Sequence, residues 1–245
     1  MRYTTSKIIV LSLLTCLPIG QTAHAFMGHA PPMDFSGSFE FGLHDMDLSG
    51  VNGELSKNGA GAFDDVSRTI GGSGYFRLGK RMLIGAEGAG FWQSASGPDA
   101  MAKIQGGYGF INLGVVPVAT RNLLIYPLVG IGGGGAKLRV HSRDYYDFYF
   151  GEEILPEWEE PGFGAFALNF SMGADYRLKL METRRTEGGI CLNMRTGYIW
   201  LPFESNWQVS GFDIFGSPTA AFAGTYAKIG IGIWSSQKTR SRKGS

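Results

Sequence analysis

Residues 163–181, with the sequence FGAFALNFSMGADYRLKLM, alternate apolar and polar side chains along their length. Every even position from Phe166 to Leu180 is apolar. The odd positions between them carry Asn169, Ser171, Asp175, Arg177 and Lys179. A period of two indicates an extended strand with one apolar face and one polar face. This segment therefore predicts a β-strand that separates an apolar environment from a polar one.

The same alternation recurs along the rest of the chain and predicts eight strands in all. They span residues 34–44, 68–78, 82–92, 104–116, 123–140, 163–181, 189–201 and 222–234. Long loops at 45–67, 93–103, 142–162 and 202–221 alternate with short turns near 79–81, 118–122 and 182–188. Four long loops at one end and three short turns at the other predict an all-β, eight-stranded antiparallel up-and-down transmembrane barrel.

The two ends of the chain differ in composition from the predicted barrel, which spans residues 26–234. Arg2, Lys7, an apolar run at 8–17 and the sequence Ala23-His24-Ala25 predict a cleaved secretory signal over residues 1–25. Residues 235–245 form a basic tail. No stretch after the signal approaches the roughly 20 apolar residues of a membrane-spanning helix.

Charge and cysteine content argue against a nucleic-acid-binding protein and against a protein with internal disulfides. Cleavage would remove two of the 22 Lys and Arg residues and none of the 21 Asp and Glu, leaving a net charge of −1 with His neutral. Such a balance does not suggest a nucleic-acid partner. Cys191 would be the only cysteine left, so no internal disulfide can form, and we expect a small packed side chain there.

Alternation alone does not say which face points outward, and a soluble periplasmic lipocalin-like carrier would also have eight strands. The loop rhythm favours a membrane barrel, as do aromatic residues near strand ends, namely Trp92, Tyr126, Tyr198 and Trp200. Eight strands enclose room only for side chains, so a polar inner face predicts a plugged interior with paired charges. The predicted lumen network comprises Glu40, Arg77, Glu87, Lys137, Arg139, Asp175, Arg177, Arg195 and Lys228.

The chain resembles the small eight-stranded outer-membrane barrels of the OmpA, OmpX and OmpW kind. The resemblance covers residues 26–234 and includes a last strand that ends in an aromatic residue, Ile229-Gly230-Ile231-Gly232-Ile233-Trp234. It implies export to the outer membrane of a Gram-negative-type envelope and contact with its lipid. Members serve as adhesins, structural anchors, small-molecule conduits or enzymes, so the resemblance implies location and fold more than activity.

A calcium-like pattern begins the first loop, where Asp45, Asp47 and Ser49 place oxygen atoms at alternate positions before Gly50. The twelfth position of the pattern is Ser56, so the bidentate glutamate of a calcium loop is missing. We therefore weigh a calcium site against an ordinary polar surface loop with turn residues. No cofactor is predicted.

The third long loop is acidic and aromatic, which suits recognition of an extracellular protein or glycan, because rigid rings give contact area at low entropic cost. The alternative is that the rings pack on the barrel rim. The candidate recognition residues are Tyr145, Tyr146, Phe148, Tyr149 and Trp158.

An enzyme would need a nucleophile and a base, and the chain offers only scattered candidates. His44 and His141 fall near loop ends, with Ser94, Ser96 and Asp99 in the second long loop. No motif connects them. We therefore expect a monomeric, non-enzymatic outer-membrane barrel with a structural or surface-interaction role, and keep a barrel enzyme that modifies outer-leaflet lipid as the alternative.

Overall fold

A computed structural model describes residues 33–79, 81–142, 148–156, 159–203, 205–219 and 222–237. The predicted signal, residues 1–25, lies outside this part of the chain, as does the basic tail from residue 238 onward. Within the described residues, no helix has the length and apolar character needed to cross a membrane.

Eight long strands form the wall of the molecule. They are β1 (Met33–Asp45), β2 (Val66–Leu78), β3 (Met82–Ser96), β4 (Ala100–Val115), β6 (Leu123–Ser142), β9 (Gly162–Glu182), β10 (Thr186–Trp200) and β13 (Gly224–Gln237). The described parts of the connections contain a helix and five short strands. These are α1 (Ser49–Lys57), β5 (Val118–Ala119), β7 (Phe148–Phe150), β8 (Glu153–Leu155), β11 (Gln208–Val209) and β12 (Phe212–Asp213).

The wall strands close into a ring in which each pairs antiparallel with its two neighbours, in the order β1-β2-β3-β4-β6-β9-β10-β13. β13 pairs back onto β1, with Ile231 opposite Phe39, and this pairing closes the sheet. A closed barrel has no edge strand with unpaired backbone N–H and C=O groups, which lipid could not satisfy. The predicted eight-stranded antiparallel up-and-down barrel is confirmed.

The direction of each face follows from burial along β9. Phe170 and Met172 are 44% and 55% exposed, whereas Asn169 and Asp175 are buried inside the barrel. The same arrangement, apolar outward and polar inward, holds on β1, β10 and β13. A soluble lipocalin-like barrel would place its apolar face inside, so the structure contradicts that alternative.

Strand β6 departs from this rule, and the prediction that Lys137 and Arg139 face the lumen is wrong. Both side chains are exposed on the outer face. The inward positions of β6 are apolar and buried, among them Tyr126, Leu128 and Leu138. Tyr126 therefore does not belong to an outer aromatic girdle, in contrast to Trp92, Tyr198 and Trp200, which are exposed outside.

Three of the four predicted long loops are present, and the second is not. β3 and β4 extend beyond the predicted strands and are joined by residues 97–99 alone. The extension is supported by the first loop, because Ala60 forms a β-bridge with Ala100. A Cβ atom at Gly97 would come within 2.2 Å of the Gly59 carbonyl oxygen, so glycine allows this close approach.

The last strand continues past Trp234 to Gln237, beyond the predicted end of the barrel at residue 234. Trp234 faces inward, as its parity indicates, and its Nε1 donates to the Leu178 carbonyl oxygen at 3.3 Å. The Arg177 guanidinium lies 5.2 Å from the centre of the indole ring. The terminal aromatic of this chain therefore packs in the barrel interior, at the end with short turns.

Candidate functional site: the barrel interior and the loop cap

Four buried charged side chains meet at mid-height in the barrel, and we call Glu40, Glu87, Arg195 and Lys228 the central quartet. They occupy inward positions of β1, β3, β10 and β13. Arg195 Nη1 donates to Glu87 Oε2 and lies 3.6 Å from Glu40 Oε1. Lys228 Nζ lies 3.4 Å from Glu87 Oε2 and 4.0 Å from Glu40 Oε2. Each carboxylate therefore faces both cations.

Neutral side chains complete the coordination of the quartet. Asn169 Nδ2 donates to Glu87 Oε1 at 2.6 Å, and the Tyr226 hydroxyl donates to Asn169 Oδ1 at 2.9 Å. The Arg195 guanidinium lies 4.8 Å from the centre of the Tyr75 ring, and Lys228 Nζ lies 4.6 Å from that of Tyr226. Cation–π contacts of this kind stabilise charges that have lost water.

A second charged group lies nearer the short turns. Asp34 accepts hydrogen bonds from Arg77 and from Arg177, the latter at 3.4 Å. Between the two groups, the Tyr126 hydroxyl donates to Asp175 Oδ1 at 2.7 Å. Among the described residues, the barrel interior thus holds four carboxylates and four cations. This balance matters because a buried ion pair is tolerated only when both charges are compensated.

Seven of the nine side chains predicted for the lumen network are therefore brought together inside the barrel. They are Glu40, Arg77, Glu87, Asp175, Arg177, Arg195 and Lys228. Sequence reasoning missed Asp34 as the partner of the two lower arginines, and Asn169 and Tyr226 as partners of the quartet. Their inward parity was visible in the alternation, but Asn169 and Tyr226 are neutral and give no charge signal, and Asp34 lies at the first position of its predicted strand. Cys191 is buried on the same face, as expected of a packed side chain.

The barrel wall separates His44 from the other residues considered for an enzyme site. His44 is fully buried inside, between the rings of Tyr108 at 5.5 Å and Tyr226 at 6.4 Å. Ser94 and His141 are exposed on outward positions of β3 and β6. The structure does not bring His44 together with a serine nucleophile from the second loop.

The end of the barrel with long loops is filled by apolar side chains that come from both the wall strands and the loops. Trp207 is fully buried, with its ring centre 5.4 Å from that of Phe150 and 4.9 Å from that of Phe163 on β9. Phe222 is also fully buried and stacks on Tyr108 at 6.3 Å, directly above the central quartet. Sequence analysis gave no signal for this packing, since the loop residues have no periodicity.

Hydrogen bonds join the long loops to one another, and we call helix α1, the β7–β8 hairpin and residues 205–219 the loop cap. Asn58 exchanges two hydrogen bonds with the backbone of Tyr149, at 2.7 and 2.9 Å. Gly151 N donates to Glu54 Oε2 at 3.3 Å, and Glu152 N donates to the Phe215 carbonyl oxygen at 2.9 Å. The hairpin is therefore held between the first and the last long loops.

The calcium-like pattern folds differently from a calcium loop. Asp45 ends β1, and Ser49 is already the first residue of α1. Asp47 Oδ1 accepts hydrogen bonds from Ser49 Oγ at 2.6 Å and Ser49 N at 3.1 Å, which holds the pKa of Asp47 below its usual range. The described residues contain no group of three or more His, Cys, Asp or Glu arranged to hold a metal ion.

The aromatic candidates of the third loop divide into three cases. Tyr145, Tyr146 and Trp158 lie outside the described residues. Phe148 is buried and stacks on Phe150 at 5.9 Å, so it packs on the rim rather than facing a partner. Tyr149 is 56% exposed, and it lies opposite the exposed Ile154 in the hairpin.

Comparison with known proteins finds structural similarity but no sequence match. No protein-family model and no curated protein matches the sequence. Among solved structures, it is similar to the outer membrane protein OprG of Pseudomonas aeruginosa, with a TM-score of 0.45 and 14% identity over 84% of this chain and 97% of that one. It is also similar to Ail, the attachment invasion locus protein of Yersinia pestis, with a TM-score of 0.43 and 9% identity over 84% and 99%. The outer membrane protein AlkL gives a TM-score of 0.35 and 12% identity over 90% and 97%.

Proposed function

We propose that this protein is exported to an outer membrane and resides there as a non-enzymatic barrel that acts at the cell surface. The observation that carries the location is the uncovered apolar outer face. Large apolar side chains stand exposed on every wall strand, including Phe41, Ile84, Ile111, Ile131, Phe170, Leu192 and Ile231. On a protein in water such a surface would exceed the few hundred Å² that monomers ordinarily expose. Lipid would cover it at no cost.

The interior supports a closed barrel rather than a conduit. The central quartet fills the middle of the lumen with ion pairs. Apolar side chains of the loop cap help to fill the end of the barrel that carries the long loops. A solute would have to separate Arg195 from Glu87 or displace the fully buried Trp207 and Phe222. We therefore propose that the barrel serves as a scaffold for its loops.

The loop cap supports a surface-interaction role with a protein partner. Tyr149, Ile154, Phe212 and Phe215 expose their side chains on segments that hydrogen bonds or strand pairing hold in place. Because these residues are already ordered, a partner would bind them at a lower entropic cost than it would bind a free loop. Ile154, Phe212 and Phe215 offer no hydrogen-bonding group to the hydroxyls of a glycan, so this surface suits an apolar protein partner better.

Labelling of single cysteines on intact cells tests the location and orientation. Lys57→Cys at the end of α1 should react with a membrane-impermeant maleimide, because Lys57 lies in the first long loop. Arg121→Cys, in a short turn, should react only after the cells are lysed. The unmodified protein is the control, since buried Cys191 should not react. Equal labelling of both variants on intact cells would contradict the orientation.

A further inference from the structure

A cluster of cations faces sideways from the outer wall, above the apolar belt and below the loop cap. Strand pairing places Lys103 of β4 directly opposite Arg139 of β6, and Gln105 opposite Lys137. The three cations, Lys103, Lys137 and Arg139, form the cluster, and they and Gln105 are exposed on the outer face. The Lys137 side chain extends toward β9, since its Cγ lies 3.2 Å from where a Cβ would stand on Gly162. The cluster thus covers three adjacent strands.

Within the described residues, ion pairs balance the charges of this cluster only in part. Like charges directly opposite each other on neighbouring strands are unfavourable. Arg139 is partly compensated, because its Nε donates to Glu160 Oε1 at 2.6 Å. Among the described residues, Lys103 and Lys137 form no ion pair with a carboxylate. An anion placed between them would turn a repulsive arrangement into an attractive one.

The height of the cluster on the wall identifies the kind of anion. Trp92 of β3 lies opposite Gln105, which lies opposite Lys137, so an exposed tryptophan and the lysine share one row around the barrel. Tryptophan is enriched at the level of lipid headgroups. Closer to the short turns, Ile111 of β4 and Ile131 of β6 face outward in the apolar belt. The cations therefore stand where phosphate groups of the outer leaflet would lie.

We propose that Lys103 and Lys137, with Arg139 beside them, bind the phosphate groups of a phosphorylated, multiply acylated glycolipid in the outer leaflet. This inference rests on the proposed location and orientation. A lipid fits better than a soluble anion because the side chains project from the wall of the barrel rather than into its mouth. Between the cations and the belt, the outward positions of β4 and β6 are glycines, Gly107 and Gly109 opposite Gly135 and Gly133. This smooth wall would let acyl chains lie against it.

Binding of diphosphoryl lipid A to the full-length mature protein in detergent micelles, measured by native mass spectrometry, tests the proposal. The variant Lys103→Gln/Lys137→Gln removes two positive charges, keeps polar side chains at both positions and leaves the Arg139–Glu160 pair intact. Its affinity should be about five- to tenfold lower, as expected for the loss of two exposed ion pairs. The matched control, Arg121→Gln/Arg184→Gln, removes two exposed cations at the end with short turns and should bind like the unmodified protein.

Each outcome decides the proposal. Equal affinities of the lysine variant and the unmodified protein in micelles, together with insertion of both proteins into phosphatidylcholine vesicles, would overturn the lipid site and leave the proposed location intact. Failure of the unmodified protein to insert into those vesicles would overturn both. Displacement of lipid A by excess inorganic phosphate would assign the cluster to a free anion and contradict a lipid site. An equal loss in the control pair would show non-specific charge attraction and would also contradict it.

Discussion

Replacing Arg195 with methionine is expected to lower the free energy of unfolding by about 3–5 kcal/mol, because it leaves buried carboxylates uncompensated. In the folded protein, Arg195 is the closest cation to Glu87 and also lies 3.6 Å from Glu40. After the substitution, only Lys228 would face both carboxylates. Urea unfolding of the protein in lipid vesicles, followed by tryptophan fluorescence, measures the change.

Two further variants separate this effect from a general loss of an arginine. Arg139→Met removes an ion-paired arginine that is exposed on the outer face, and it should cost less than about 1 kcal/mol. The double variant Glu87→Gln/Arg195→Met removes one charge of each sign and should recover part of the stability lost in the single variant. An Arg195→Met protein as stable as Arg139→Met would mean that water reaches the quartet.

Truncating Trp207 to alanine is expected to weaken the docking of the loop cap by about 3–5 kcal/mol, the usual cost of removing a buried aromatic side chain. Trp207 joins the last long loop to Phe150 of the β7–β8 hairpin and to Phe163 of the barrel wall. Hydrogen exchange of the amides in residues 205–219 reports this local opening, since those amides should exchange faster while the wall strands remain protected.

Phe212→Ala is the matched control for this prediction, because Phe212 lies in the same loop but its side chain is 79% exposed. Its exchange rates should match those of the unmodified protein, since exposed substitutions ordinarily change stability by no more than about 0.5 kcal/mol. Unchanged exchange in Trp207→Ala would show that the cap is held by its hydrogen bonds alone.

The wall of the barrel could be predicted from the sequence wherever one strand face is polar and the other apolar. On β9 and β13, the alternation of Asp175 with Tyr176, or of Lys228 with Ile229, fixes the side that faces the lumen, because a shift by one residue would exchange the faces. The same rule placed all four members of the central quartet on the inward faces of their strands.

Strand β6 shows where that rule stops. Its inward positions hold Leu128 and Leu138, and its outward positions hold Val129 and Ile131, so both faces are apolar at mid-strand. We predicted that Lys137 and Arg139 face the lumen because they are charged. At their level, however, the inside of the barrel is filled by the loop cap. The direction of these side chains depends on which residues pack inside the barrel. Alternation along one strand gives no information about those residues.

The loop cap itself could not be predicted for a similar reason. Trp207 and Phe150 are apolar residues in irregular or very short segments, and no period relates them. Their burial depends on contacts between loops that are far apart in sequence. The short second connection was missed because the extension of β3 and β4 depends on the bridge between Ala60 and Ala100.

The central claim is that lipid covers the apolar outer face, and a spin label at position 170 tests it most directly. In a Cys191→Ala background reconstituted in vesicles, a label on Phe170→Cys should relax strongly with lipid-soluble oxygen and weakly with a water-soluble nickel reagent, because Phe170 points outward from the middle of β9. A label on Lys57→Cys in the first loop should show the reverse. Strong relaxation of the label at position 170 by the nickel reagent, or shielding from both reagents, would contradict the account.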